Sequence, residues 1–158
     1  MTRTRAAEIY RRDYWSAVRG DELPAGLDLV AFDAAVNSGV SRGAKWVQSA
    51  VGASPDGKIG PATIAAANMA HTQTAIDRAC DARLAFLRSA KNTKTGAPLW
   101  PTYGNGWSRR VSDVRDTAQR MTVARPVPQP AVPTAGSYLP IPAILIGGAI
   151  IAAFVFFM

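Results

Sequence analysis

The sequence predicts an all-α protein in three parts: a compact helical domain over residues 1–122, a proline-rich linker over 123–137 and a transmembrane helix over 138–158. Three observations support this organisation. Apolar residues recur at the spacings of three and four that are typical of helices. Runs that alternate apolar and polar residues, which would indicate strands, are almost absent, and the last 21 residues carry no charge.

Six helical segments are predicted in the first part, and glycine and proline residues, together with an Asp-Gly turn signal, separate them. The apolar spacing places these segments at 5–18, at 27–37, at 42–51, from Pro61 onward, from Thr72 or Thr74 onward, and at 107–121. Pro61 suits the first position of a helix, where its missing N–H would have no partner in any case. Ser41 is the predicted cap of the third segment. A Gly- and Pro-rich loop is predicted over 95–106.

The linker and the tail differ from the rest in composition. Residues 123–137 are rich in Pro, Ala and Val, and residues 138–158 are apolar or glycine apart from Tyr138 and the prolines. A bilayer core of about 30 Å needs about 20 such residues in a helix. The tail is therefore predicted to cross the membrane once and to tether the domain, with the side on which the domain lies left open.

The charge of the chain restricts its partners. The net charge is +7, and no charged residue follows Arg125. This balance favours nucleic acid, anionic lipid or an anionic cell-wall polymer, or it serves only to keep a small domain soluble. Nucleic acid is not expected as a partner, because no recognition motif and no basic stripe with interleaved aromatic residues is present.

Metal and cofactor chemistry finds no support in the sequence. There is one histidine, His71, and one cysteine, Cys80. These two residues do not provide the ligand spacing of a metal site, and there is no GxSxG motif for a nucleophilic triad. No metal and no cofactor are predicted, and His71 is expected at the surface or at a helix cap.

The remaining candidates for chemistry are eleven carboxylates. Glycoside hydrolysis commonly needs a carboxylic acid in an apolar setting and often a second carboxylate. Glu8 begins a basic amphipathic helix and Glu22 lies in a turn, so neither is predicted to be desolvated. Asp33 lies inside the apolar run LVAFDAAVNSG with Asn37 one helical turn later. It either bonds the N-terminus of a neighbouring helix or lines a cleft, since a buried carboxylate needs partners.

A second informative segment runs from 46 to 63, with the sequence WVQSAVGASPDGKIGPAT. A helix containing Gln48 ends at glycine, an Asp56-Gly57-Lys58 turn follows, and a new helix begins at Pro61. Glycine supplies the positive φ that such turns require. The segment predicts at least a helix–turn–helix corner.

Four sequence blocks carry a resemblance to a known family. They are AAEIYRRDYW at 6–15, DELPAGLDLVAFDAAVNSG at 21–39, WVQSAVGASPDGKIGPAT at 46–63 and NGWSRRV at 105–111. Together and in this order they resemble the muramidases of glycoside hydrolase family 108, which include phage-type endolysins. The resemblance implies a lysozyme-like helical fold, a peptidoglycan-binding C-terminal half and bacterial peptidoglycan as the partner.

The chain departs from the family pattern at its start. The family carries its proposed catalytic Glu in an E-G-G-Y segment near the N-terminus, and no EGG occurs in this sequence. No catalytic residue is therefore carried over, and Glu8 is not its equivalent. The start is misassigned or the gene truncated, or the chain is a non-catalytic relic that still binds peptidoglycan, or a separate partner supplies the segment.

The resemblance and the residues lead to a functional hypothesis. The chain is expected to be a peptidoglycan-binding, endolysin-like N-acetylmuramidase domain tethered to the bacterial inner membrane by a single pass, catalytically impaired, and to act in phage or prophage-type lysis with a holin or an export system. The alternative is a holin-like membrane protein with the helical domain as a passenger. Substrate contacts are assigned to six residues, for each of which capping or turn structure is the alternative: Asp33, Asn37, Gln48, Asp56, Gly57 and Lys58. Lys58 and Arg42 are expected to meet wall carboxylates.

Overall fold

The computed structural model describes residues 2–124, all of which belong to one compact unit. Apart from an isolated bridge between Lys91 and Pro98, the regular structure of these residues is helical. Residues 2–124 form six α-helices: α1 Arg3–Tyr10, α2 Leu27–Ser38, α3 Val40–Val51, α4 Pro61–Met69, α5 Thr72–Ser89 and α6 Trp100–Ala124. A π-helical turn, Arg11–Trp15, and a short 3₁₀ turn, Gly20–Glu22, connect α1 to α2.

The first helix differs from its prediction because it changes pitch. The segment predicted as one helix over 5–18 is α-helical only up to Tyr10, and the π-helical turn begins at Arg11. This turn brings two aromatic rings onto Phe32 of α2: the ring centroids lie 6.3 Å away for Tyr10 and 5.7 Å for Trp15. Edge-to-face aromatic packing of this kind stabilises the contact beyond the area that it buries.

The core lies between α2, α3, α5 and α6. Its buried side chains are mostly small, so that the helices approach closely; the largest of the fully buried apolar side chains are Leu27, Ile76, Val18, Val47 and Val111. Cys80 of α5 belongs to the same core and is 1% exposed. Burial raises the pKa of the Cys80 thiol, because desolvation disfavours the thiolate.

The last helix begins earlier than predicted. The loop predicted over 95–106 ends at Leu99, and α6 begins at Trp100. Pro101 lies in the first turn, where a missing N–H is tolerated. The ring of Trp107 packs 6.3 Å from that of Trp100 and 5.5 Å from that of Tyr103. These ring contacts support helix through a stretch whose Gly and Pro content indicates loop.

The predicted membrane helix requires a correction. Within residues 2–124, no helix is long and apolar enough to cross a membrane. The two longest, α5 and α6, carry several charged side chains, and charges are costly in the bilayer core. The segment that suggested a membrane span, 138–158, lies outside the described residues. The transmembrane part of the predicted fold class and the single-pass inner-membrane localisation are therefore withdrawn.

Candidate functional site

Asp33 lies at the centre of a cluster of buried and half-buried charges. Asp33 lies on α2 and is 7% exposed. Arg83 of α5, 4% exposed, donates from Nη1 to Asp33 Oδ2 at 2.5 Å. Arg110 of α6 donates from Nε and Nη2 to Oδ1 at 3.0 Å and 2.5 Å. Asn37 donates from Nδ2 to the Asp33 carbonyl at 2.8 Å, with Oδ1 at 3.4 Å. One carboxylate therefore links three helices.

Two open cavities flank this cluster. The larger, about 490 Å³, lies along α6 and is lined in part by Asp33, Gly106, Arg110 and Asp113. The smaller, about 190 Å³, is lined by five residues: Tyr10, Phe32, Asp33, Val36 and Arg110. Asp33 thus lines the edge of a cleft, which was one of the two alternatives that the sequence left open. Its carboxylate also links helices, but through the arginine side chains of α5 and α6 and not through a helix N-terminus.

The described glutamates lack the setting of a general acid. Glu8 is 59% exposed at its side chain and lies 3.4 Å from Arg5 in an i,i+3 ion pair. Glu22 is bonded to Arg19, and this hydrogen bond lowers the pKa of the Glu22 carboxyl. A general acid of a glycosidase needs a shift in the opposite direction. Neither glutamate has the environment that acid catalysis requires.

Gln48 organises the turn that follows α3. Gln48 is 1% exposed, and its Oε1 accepts a hydrogen bond from the backbone N–H of Gly57 at 2.8 Å. Its Nε2 lies 2.7 Å from Asp56 Oδ1, 3.0 Å from the Lys58 carbonyl and 3.2 Å from Thr63 Oγ1. The amide of Gln48 is therefore engaged inside the protein, where it fixes the turn.

The turn presents its two charged side chains to solvent. Asp56 and Lys58 are exposed, whereas Gly57 is buried with a φ of +85°. The hydrogen bond from Gln48, followed by that from the Lys58 N–H at 2.8 Å, lowers the pKa of the Asp56 carboxyl. A β-carbon at Gly57 would lie 2.3 Å from Ser41 Oγ and 3.2 Å from Lys45 Cε. The turn thus rests against the start of α3.

A basic cavity lies on this side of the turn. It measures about 390 Å³ and is lined by Ser38, Gly39, Val40, Ser41, Arg42 and Lys45. The Arg42 guanidinium lies 4.4 Å from the centroid of the Phe86 ring and donates to the Ser38 carbonyl at 3.0 Å. Among residues 2–124, no carboxylate forms an ion pair with Arg42, Lys45 or Lys58. We call Arg42, Lys45 and Lys58 the basic cluster.

Comparison with known proteins gives these features a context. The family model for Glycosyl hydrolase 108 matches residues 1–39. The model described as "Predicted Peptidoglycan domain" matches residues 42–112. The chain belongs to the glycosyl hydrolase 108 family. This assignment confirms the resemblance drawn from the four sequence blocks.

A solved structure supports the same assignment. The chain is similar to SagA from Brucella abortus, with 42% sequence identity and a TM-score of 0.69 over 77% of this chain. The match covers 66% of the SagA chain, so this protein spans less than two thirds of that relative's length. No curated protein matches the sequence. In this glycosyl hydrolase 108 protein, Asp33 falls in the first matched region and the basic cluster in the second.

Sequence reasoning found some of these residues and missed others. It named Asp33, and the structure adds Arg83 and Arg110, which lie 50 and 77 residues along the chain. It named Arg42 and Lys58, and the structure adds Lys45, which lines the basic cavity together with Arg42. Lys45 lies three residues after Arg42 on the same predicted helix, so the i,i+3 spacing was a signal that could have found it.

Proposed function

We propose that this glycosyl hydrolase 108 protein binds bacterial peptidoglycan through the basic cluster and the cavity beside it. The supporting observation is that the cavity lined by Arg42 and Lys45 lies beside the turn that carries Lys58 and is fixed by Gln48, within the matched peptidoglycan region. Peptidoglycan carries carboxylates on its stem peptides, and the basic cluster offers cations without internal ion pairs. The protein serves cell-wall degradation of the endolysin type in phage or prophage lysis.

The positions of the three cations differ in a way that suits this role. Arg42 is held by the Ser38 carbonyl and by the Phe86 ring, so that less side-chain freedom is lost when it binds a carboxylate. Lys45 and Lys58 are exposed; Lys58 lies on the turn, and Lys45 lies on α3 beside it. Asp56 keeps the backbone of the turn in place through Gln48 and Lys58. Of the six predicted contact residues, Lys58 faces a ligand directly, and Gln48, Asp56 and Gly57 position it.

Muramidase activity of the chain as it stands is proposed to be weak. An active form would cleave the β-1,4 bond between N-acetylmuramic acid and N-acetylglucosamine. Glu8 and Glu22 are exposed partners of arginines, and Asp33 is bound by two guanidinium groups. This observation supports binding without strong catalysis.

The test is co-sedimentation of the full chain with purified sacculi. Lys45→Gln combined with Lys58→Gln is expected to weaken pelleting by about fivefold, since each exposed ion pair contributes about 0.2–1 kcal/mol. The matched control is Lys91→Gln with Lys94→Gln, which makes the same charge change on an exposed loop away from the cluster. Equal losses in the two double variants would mean that net charge alone drives binding.

Release of soluble muropeptides, measured on the same samples, tests the catalytic part. Binding without release is expected. Strong release by the unsubstituted chain would overturn the statement of weak activity. Absence of both binding and release by the folded chain would contradict the proposed function.

A further inference from the structure

An aromatic stack lies at the N-terminal end of α6 and shares no residue with the basic cluster. The Arg88 guanidinium lies 5.5 Å from the centroid of the Trp100 ring, which packs 6.3 Å from Trp107. Tyr103 closes the stack, with its ring 5.5 Å from that of Trp107 and 25° from parallel. Tyr103 is 51% exposed. The stack therefore ends in a supported aromatic ring that faces solvent.

Tyr103 is aligned with the larger cavity. Along α6, the residues Tyr103, Gly106, Arg110, Asp113 and Thr117 follow at spacings of three and four, and such residues share one face of a helix. The last four line the 490 Å³ cavity. The exposed ring thus stands about one helical turn before the cavity, on the same face.

Gly106 leaves open space on this face of α6, because it has no side chain. A β-carbon at this position would have no heavy atom within 4 Å, so packing does not require glycine here. Glycine also destabilises a helix interior relative to alanine. At Gly104, in contrast, a β-carbon would lie 2.7 Å from the Trp100 ring, and packing alone explains that glycine. Gly106 instead leaves room for a ligand between Tyr103 and Arg110.

The guanidinium of Arg110, on the same face of α6, is a hydrogen-bond donor whose orientation is fixed by Asp33. The Arg110 side chain is 51% exposed, and Asp33 fixes the guanidinium through Nε and Nη2. Among the described residues none accepts from Nη1, so one edge of the group stays available to a ligand. The exposed carboxylate of Asp113 lines the same cavity and can accept hydrogen bonds from hydroxyl groups.

We propose that this face of α6 is a saccharide subsite for a chain of N-acetylated amino sugars. The C–H face of one sugar ring packs on Tyr103, since the face of an aromatic ring is electron-rich. The next sugar lies over Gly106, where Arg110 donates to its acetamido oxygen and Asp113 accepts from its hydroxyls. The choice of ligand rests on the proposed function, but the site is separate from the basic cluster and binds the uncharged part of the polymer.

The test uses chitohexaose, a neutral N-acetylglucosamine oligomer without peptide, titrated into the full chain while tryptophan fluorescence is followed. A saturable change is expected because Trp107 contacts Tyr103. Tyr103→Ala is expected to weaken binding about tenfold, and Tyr103→Phe, which keeps the ring, should change it less than about twofold. Gly106→Leu places a side chain in the space proposed for the second sugar and is expected to abolish the saturable fluorescence change.

Neighbouring positions on other faces of α6 provide the controls. Thr102→Ala and Asn105→Leu alter exposed residues next to Tyr103 and Gly106 and are expected to bind like the native chain. Native-like binding by folded Tyr103→Ala or folded Gly106→Leu would overturn the proposal. So would pelleting with sacculi without any response to chitohexaose, which leaves the proposed function standing. A chitohexaose response without pelleting would support the subsite and contradict the proposed function.

Discussion

Two buried polar residues organise this molecule, and they do so over different distances. Gln48 bonds to residues 8 to 15 positions away and shapes one turn. Asp33 bonds to Arg83 and Arg110, 50 and 77 positions away, and links α2 to α5 and α6. The first is a neutral amide and the second a carboxylate. The comparison shows how local order and global packing depend on different chemistry.

The two centres also differ in the cost of removing one partner. A buried amide that loses its partner leaves an unsatisfied dipole, whereas a buried ion pair that loses one member leaves an uncompensated charge. This cost should be largest at Arg83, because its Nε already has no hydrogen-bond partner among the described residues. The Asp33 cluster should therefore dominate global stability, and the Gln48 centre should dominate the geometry of the binding turn.

The largest effect is expected from Asp33→Ala, which leaves Arg83 buried without its carboxylate. We expect a loss of about 3–5 kcal/mol in the free energy of unfolding, measured by urea denaturation. The double variant Asp33→Ala, Arg83→Met should recover part of this loss, because an apolar side chain then replaces the unpaired charge. A double variant less stable than Asp33→Ala would show that packing of Arg83, not charge, matters most.

Gln48→Ala is expected to cost less, about 1–3 kcal/mol, since it leaves the buried N–H of Gly57 without its acceptor. The matched control is Gln73→Ala, an exposed position on α5 that should change stability by less than about 0.5 kcal/mol. Gln48→Ala should also weaken pelleting with sacculi, because the turn that carries Lys58 loses its support. Full binding to sacculi by a folded Gln48→Ala variant would show that the geometry of this turn does not contribute to binding.

Two glycines at positive φ distinguish backbone strain from steric fit. Gly52→Ala, at φ +78° with no heavy atom within 4 Å of a β-carbon, should cost about 1 kcal/mol through backbone strain alone. Gly57→Ala, at φ +85°, should cost about 1–2 kcal/mol, because its methyl also meets Ser41. Ser41→Ala added to Gly57→Ala is expected to relieve the difference. If thermal unfolding shows the same loss of stability for Gly52→Ala and Gly57→Ala, the contact of the added methyl with Ser41 contributes nothing.

The smallest effect is a titration. Hydrogen bonds, first from Gln48 and then from the Lys58 N–H, hold the pKa of the Asp56 carboxyl below its ordinary value. The unfolded chain then binds a proton more readily than the folded one, so this contribution to stability is present above about pH 4 and is lost as the pH falls through the folded pKa. NMR titration of the carboxyl carbon should show the pKa moving upward in Gln48→Ala. An unchanged pKa would contradict the assigned cause.

The same contrast explains what could be predicted from the sequence. Asp33 and Asn37 lie one helical turn apart, and Gln48 precedes its turn within one segment, so local patterns found them. Arg83 and Arg110 are two of many arginines on helices whose packing the pattern does not specify. The early start of α6 was missed for a related reason, since the ring contacts of Trp100 with Trp107 outweigh the loop propensity of glycine and proline.

Cys80 gives the molecule an internal reporter. It is the single cysteine of the sequence, it lies on α5 three residues before Arg83, and its raised pKa keeps the thiolate scarce. Alkylation at this sulfur therefore requires α5 to separate from its neighbours, and each opening adds one label of known mass. The rate of labelling would report how often the ion-pair cluster comes apart in an otherwise native protein.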